Sequence, residues 1–310
     1  MKLGRASGLT DTGRRRLGNE DVFVCDPPVF AVADGMGGAP AGELASHLAA
    51  AALEERAEEL RGEAALAAVV REANDRVFRR ATADPAAAGM GTTITIAVVD
   101  EAAGTLAVGH VGDSRAYRLR AGALEQLTSD HSLVAELVRS GRLTQEEADK
   151  HPHRAVITRS VGTDEAVDVD TITLQMEEGD LYLLCSDGLT DMVADDAIQA
   201  LGVAADGDPD VFASTLVDAA NAGGGDDNIT VVVFEVVAGE PAPPAVPDDA
   251  AEPEAPATGS GAGEAAAAAS SLGAHARRWG AGAGGRIPAL LFLVAVAVVA
   301  ALALYWGITR

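Results

Sequence analysis

Four apolar runs in the sequence carry an aspartate at one end, each beside glycine or another small residue. Ala31-Val32-Ala33 runs into Asp34-Gly35-Met36-Gly37-Gly38, and Val108-Gly109-His110-Val111 runs into Gly112-Asp113-Ser114-Arg115. Leu181-Tyr182-Leu183-Leu184-Cys185 leads into Ser186-Asp187-Gly188-Leu189-Thr190-Asp191, and Gly223-Gly224-Gly225-Asp226-Asp227-Asn228 precedes a run from Ile229. Short apolar runs bounded by turn residues predict strands. A single Asp-Gly pair is ordinary turn chemistry. Carboxylates gathered at several sheet ends repel one another unless cations lie between them, and hard divalent ions take such oxygen ligands.

The same patterning predicts strands at 22–24, 29–33, 92–99, 106–111, 181–185 and 229–237. Ala/Leu/Glu-rich stretches predict helices over 41–60 and 63–82, the first with Leu44, Leu48, Ala51 and Leu60 as its apolar stripe. A third helix is predicted over 209–221, opened by Asp208 as N-cap and Pro209 at its first position. The long helices fall between groups of strands that follow one another directly. That order predicts an α+β fold of antiparallel sheets with helices on their outer faces, not an alternating parallel sheet. Hydrophobic residues make up 48% of the chain but aromatics only 4%, so the core must rest on Ala, Val, Leu and Ile.

Composition divides the 310 residues into zones. Residues 1–238 have globular patterning. Residues 239–286 are nearly all Ala, Gly, Pro, Ser and acid, a composition that cannot bury a core and predicts a linker. Residues 287–306 carry no charge over the length a helix needs to cross a bilayer; 307–310 form a short tail. Pro288 falls in the first turn of that stretch, and Tyr305 and Trp306 sit at its far end, where interfacial aromatics belong. A buried core helix is the competing explanation, which the terminal position after a linker disfavours. Arg277, Arg278 and Arg286 precede the stretch and only Arg310 follows it, which predicts a single-pass cell-membrane protein with its globular domain in the cytoplasm. As a flexible coil the linker would span roughly 40 Å, against a domain about 45 Å across. Cys25 and Cys185 form no disulfide framework, in keeping with a reducing compartment. The first eight residues have no apolar run, which predicts no secretory leader. With 47 acidic against 23 basic residues the net charge is −24, a surface that repels nucleic-acid phosphates.

Arg16-Leu17-Gly18-Asn19-Glu20-Asp21 adds a cation suited to bidentate phosphate binding, although an arginine beside Arg14 and Arg15 is ordinarily a solvated charge. With these residues, Gly91-Thr92-Thr93 and the strand-end acids in this order, residues 6–237 resemble the type 2C family of metal-dependent Ser/Thr protein phosphatases in its compact bacterial form. The resemblance implies a sandwich of two antiparallel sheets flanked by helices. It implies two Mn²⁺ or Mg²⁺ ions bridged by Asp34. The Gly35 carbonyl would ligate one, Asp187 and Asp227 the other, and Glu20 would act through water. Asp113 and Asp191 match a weaker third-ion site, Arg16 would hold the substrate phosphate, and Asp21 and Asn228 would support the ligands. Water activated by the ions would attack phosphorus in line.

Many eukaryotic relatives have His where this chain has Met36. Methionine donates no proton, so water at the metal site is the expected acid for the leaving alkoxide. The polar stretch 129–160 matches the family's flap beside the site; His131, His151 and His153 within it are expected at the surface or touching substrate. His110 and Cys185 are expected in the core. Phosphorylated proteins, membrane Ser/Thr kinases among them, are the partners that the resemblance and the predicted location suggest. Two rivals are a membrane-anchored pseudophosphatase scaffold, which should lack a ligating aspartate, and a phosphatase of anti-sigma-factor antagonists, which usually carries a sensory domain.

Overall fold

Strands that are apolar on both faces need cover on both sides, and residues 1–239, which the computed structural model describes, supply it in four layers. Along the chain come β1 (Lys2–Asp11), β2 (Asp21–Asp26), β3 (Val29–Met36), α1 (Ala41–Arg56), α2 (Gly62–Ala83), β4 (Gly91–Thr92), β5 (Ile94–Asp100) and β6 (Thr105–Val111). β7 (Arg115–Arg120), β8 (Ala123–Gln126), α3 (Leu133–Arg139), α4 (Gln145–Asp149), β9 (Asp170–Gln175) and β10 (Leu181–Cys185) follow. The last elements are α5 (Asp187–Thr190), α6 (Asp195–Ala204), α7 (Pro209–Gly223) and β11 (Ile229–Val237).

One antiparallel sheet has the order β1-β11-β10-β7-β8 and the other β2-β3-β5-β6-β9, with β4 paired to β3. Their inner faces meet through Phe30, Val32, Val99, Leu106, Tyr182, Leu184, Val232 and Phe234. The few aromatics concentrate there: the Phe30 and Phe234 rings stack with centroids 4.1 Å apart. On the outer faces, α1 and α2 cover the second sheet through Ala45, Ala49, Leu53, Leu66, Val70 and Val77. The first sheet is covered through Leu189, Ile198, Phe212, Leu216 and Ala220 of α5, α6 and α7. Alternation along β3 shows the logic, with Phe30 and Val32 turned to the opposite sheet while Val29 and Ala31 meet the helices.

The expected α+β sandwich of two antiparallel sheets is present, and β11 has the predicted bounds. Asp208 caps α7 by accepting from the Asp210 and Val211 amides, with Pro209 at the first position. Four expectations are corrected. The buried stripe of α1 is Ala41, Ala45, Ala49, Ala52 and Leu53, while Leu44 and Leu48 are only partly covered. Alanine at the contact lets the helix lie close to the sheet, so the larger leucines fall at the flank. β3 continues through Met36, placing Asp34 and Gly35 inside the strand. β1, β7, β8 and β9 were not anticipated: β1, β8 and β9 lie at sheet edges, where polar residues interrupt the apolar pattern. His131 is buried, not at the surface.

Among the described residues no helix is long and apolar enough to cross a membrane. The linker and membrane-span expectations for residues beyond 239 lie outside the described residues.

Candidate metal centre and active site

The strand-end acids converge at one end of the sandwich. Asp21 of β2 stands opposite Asp34 of β3 in register. Asp21 Oδ2 accepts from Ser186 Oγ at 2.8 Å and Thr230 Oγ1 at 2.6 Å, which ties the two sheets together at that point. Asp113 follows β6 and is buried. Asp187 opens the four-residue α5 directly after β10. Asp21 Oδ1, Asp113 Oδ1 and Asp187 Oδ1 are buried without a hydrogen-bond partner.

Such groups resist ionisation. Burial pushes Asp21 up to about 6 and Asp113 up to about 7. Burial, then repulsion from Asp21, Asp187, Asp113 and Asp227, holds Asp34 well above the usual carboxylate range. Asp187 is raised well above it by burial, then by Asp113, Asp227, Asp191 and Asp21. Buried carboxylate oxygens that repel one another and lack donors are the environment a hard divalent cation stabilises, so the donor set fits the expected metal. Among the described residues no three His, Cys, Asp or Glu side chains already stand as a closed ligating group. The acids share a field, not yet a common point.

Around them the backbone is packed to contact. A Cβ on Gly35 would lie 2.2 Å from the Gly42 carbonyl oxygen, and one on Gly42 would lie 1.9 Å from Glu20 Oε2. Only glycine lets the end of β3 and the first turn of α1 close on Glu20. Burial raises the Glu20 carboxyl as well. Asn228 Oδ1 accepts from the Glu20 amide at 2.8 Å, while its Nδ2 donates to the Thr12 and Gly18 carbonyls. Asn228 and Asp21 therefore tie together the segments that carry the acids. Arg16 is half-exposed and donates from Nη2 to Asp227 Oδ2 at 2.6 Å. Arg15 pairs with Asp226.

Asp191 is more exposed and pairs with Arg154 of the 129–160 segment at 3.3 Å. A groove of about 890 Å³ runs between that segment and the acids, lined by Asp113, Asp187, Asp191, Arg139, Arg154 and Ala148 among others. His151 and His153 lie near each other on the outside of the segment, their ring centroids 5.7 Å apart. His110 and Cys185 are in the core, and burial pushes the His110 imidazole down to about 3. Sequence reasoning passed over the hydroxyls. Thr93 Oγ1 accepts from the Asp34 amide at 3.0 Å and meets Ser114 Oγ at 2.7 Å, joining the backbones that carry Asp34 and Asp113. The signal was present, since Thr93, Ser114 and Ser186 all adjoin the acid motifs or lie within them.

Fold and site thus define an α+β sandwich with a buried acid cluster at one end, an arginine beside it and a long groove leading from it. The family model for protein phosphatase 2C matches residues 20–222. The serine/threonine protein phosphatase PstP of Mycobacterium tuberculosis is 42% identical over 239 residues, 75% of this chain and 45% of that protein. This chain thus spans about half the length of that relative. The serine/threonine phosphatase of Listeria monocytogenes is 38% identical over 240 residues, covering 73% of this chain and 93% of its own. The crystal structure of the PstP catalytic domain with two manganese ions superposes with a TM-score of 0.69 at 39% identity, over 76% of this chain and 99% of that one. The chain belongs to the protein phosphatase 2C family.

Proposed function

We propose that this chain hydrolyses phosphoserine and phosphothreonine esters of proteins, and that its acid cluster holds the divalent cations the reaction needs. The observation that carries this is the set of buried, unpartnered carboxylate oxygens on Asp21, Asp113 and Asp187 around Asp34. The two manganese ions in the PstP catalytic domain support it. Asp34, Asp187, Asp227, Glu20 and the Gly35 carbonyl would hold two ions, Mn²⁺ or Mg²⁺, with Asp113 and Asp191 offering a weaker third position. Bound cations would neutralise the acids and supply Lewis-acid activation of water and phosphoryl oxygens. Asp21 and Asn228 fix the strands on which the ligands sit. Arg16, held beside the cluster by Asp227, would donate to the phosphoryl oxygens and orient the ester. Met36 has no proton to give, so the leaving alkoxide takes its proton from water. The pseudophosphatase alternative is disfavoured because every expected acid position is filled.

Arg16→Ala is expected to weaken binding of a phosphothreonine peptide and of free phosphate by roughly 10- to 100-fold, the range for a lost charge-assisted hydrogen bond. Arg15→Ala and Arg14→Ala should be nearly silent: Arg15 pairs with Asp226, outside the acid set, whereas Arg16 pairs with Asp227 within it, and the bond from the Arg14 amide to the Gly225 carbonyl survives the substitution. Equal effects at all three positions in a phosphate-binding titration would show that the contact is assigned to the wrong residue.

Residues 287–306 are proposed as a membrane anchor that keeps the domain at the cytoplasmic face, near membrane Ser/Thr kinases and their phosphorylated partners. The uncharged length and the flanking arginines support this. The full chain should sediment with membranes and resist both high salt and alkali; release by salt alone contradicts the anchor.

A further inference from the structure

His131 begins the segment that covers the groove, yet it faces inward. Its backbone amide donates to the Gly112 carbonyl at 2.7 Å, and its Nδ1 accepts from the Gly112 amide at 3.0 Å. One residue therefore holds both backbone polar groups of Gly112, immediately before Asp113. Because Nδ1 accepts, the ring proton is on Nε2, which donates to Asp170 Oδ2 at 3.1 Å, with Arg159 Nη1 also 3.0 Å from that nitrogen. Arg159 Nη1 donates to Asp170 Oδ1 at 2.7 Å. The two ends of the segment also meet here: the Thr158 amide donates to the His131 carbonyl, the Leu133 amide to the Val156 carbonyl, and Ser132 bridges to Ile157.

The Gly112 turn cannot hold this shape by itself. Its φ is +118°, and a Cβ there would fall 2.6 Å from the Thr93 side chain, so the position has no side chain to anchor it. On its far side, Ser114 is fixed by Thr93 and by Thr95, whose hydroxyl donates to the Ser114 carbonyl. Asp113 thus has a hydroxyl anchor after it and an imidazole anchor before it.

We infer that His131 is a positioning residue, joining both ends of the 131–159 segment to the Gly112–Asp113 turn and so setting the Asp113 carboxylate against the groove. Its side-chain hydrogen bonds reach Gly112 and Asp170 and none of the clustered acids, so its action runs through Gly112. The catalytic consequence rests on the phosphatase function proposed above, whereas the clamp itself does not.

Two substitutions separate the arms of the ring. His131→Asn keeps an acceptor where Nδ1 stood but cannot reach Asp170; His131→Gln reaches toward Asp170 but loses the acceptor for Gly112. Amide hydrogen exchange on the full chain should be roughly tenfold faster at 112–115 in His131→Gln, the scale of one lost hydrogen bond, and within about threefold of wild type in His131→Asn. Turnover of a phosphothreonine peptide should fall about tenfold further in the Gln variant than in the Asn variant, with KM little changed. Equal exchange in the two variants, or no acceleration in either, overturns the inference. If His131→Gln fails to fold, Asp170→Ala tests the same link from the far side of the ring: exchange should rise at both 112–115 and 156–159. A rise confined to one of them overturns it. Exchange is read without activity, so an inactive wild-type protein counts against the phosphatase function and leaves the clamp test intact.

Discussion

Asp187→Asn lowers divalent-cation-dependent turnover by roughly 100- to 1,000-fold, the usual scale for removing a group that stabilises transition-state charge. The same substitution raises the thermal stability of the metal-free protein. Asp187 Oδ1 is buried without a partner, and the carboxyl is raised well above its ordinary range by burial and by Asp113, Asp227, Asp191 and Asp21. An amide removes that charge without changing the shape of the side chain. A residue whose loss removes activity and adds stability is held for function. Asp191→Asn should cost less turnover, because Asp191 is more exposed and is already engaged with Arg154. Circular-dichroism melts in chelator beside initial rates in Mn²⁺ read both effects. A folded Asp187→Asn protein with near-normal rates, or one that melts lower without metal, would remove Asp187 from the site.

Metal-free protein should lose stability as pH rises from about 4 to about 7, opposite to a protein stabilised by paired carboxylates. The sign follows from protons bound. Burial pushes Asp21 up to about 6 and Asp113 up to about 7 in the folded chain, from an ordinary 3.8, so the folded state holds more protons across that window. Stability from these groups is fully present below about 4 and is lost as each ionises. The loss is on the order of a few kcal/mol for shifts of this size. Cations that bind only the folded state oppose it, each site by about 2.7 kcal/mol at a hundredfold excess over the dissociation constant. Urea unfolding at pH 5 and pH 7.5, with chelator and with Mn²⁺, checks this. A metal-free protein more stable at pH 7.5 than at pH 5 would mean that donors already satisfy the acids.

Much of this was legible in the sequence because the sandwich buries its strands on both faces. β3, β5, β6, β10 and β11 appear as continuous apolar runs, and their ends expose the aspartates as breaks in pattern. β1 was hidden by Gly4, Arg5, Ser7 and Gly8: the first two fall where its register against β11 shifts, and that partner strand is more than two hundred residues away. The α1 stripe was misassigned because size favoured leucine, whereas close helix–sheet approach favours alanine. His131 was out of reach for a related reason: its partner, the Gly112 amide, has no side chain to mark it. The bracing hydroxyls of Thr93, Ser186 and Thr230 were in plain view, but only pairing between strands shows which carboxylate each one meets.

The central claim is that these acids form a divalent-cation centre for phosphoester hydrolysis. It is tested most directly by measuring phosphate release from a phosphothreonine peptide while Mn²⁺ is titrated into chelator-treated protein, with wild type and Asp187→Asn side by side. The account predicts no release without metal, a saturable rise in the wild type, and a flat or strongly weakened response in the variant. Equal release with and without Mn²⁺ in the wild type, or matching titrations for the two proteins, would contradict it.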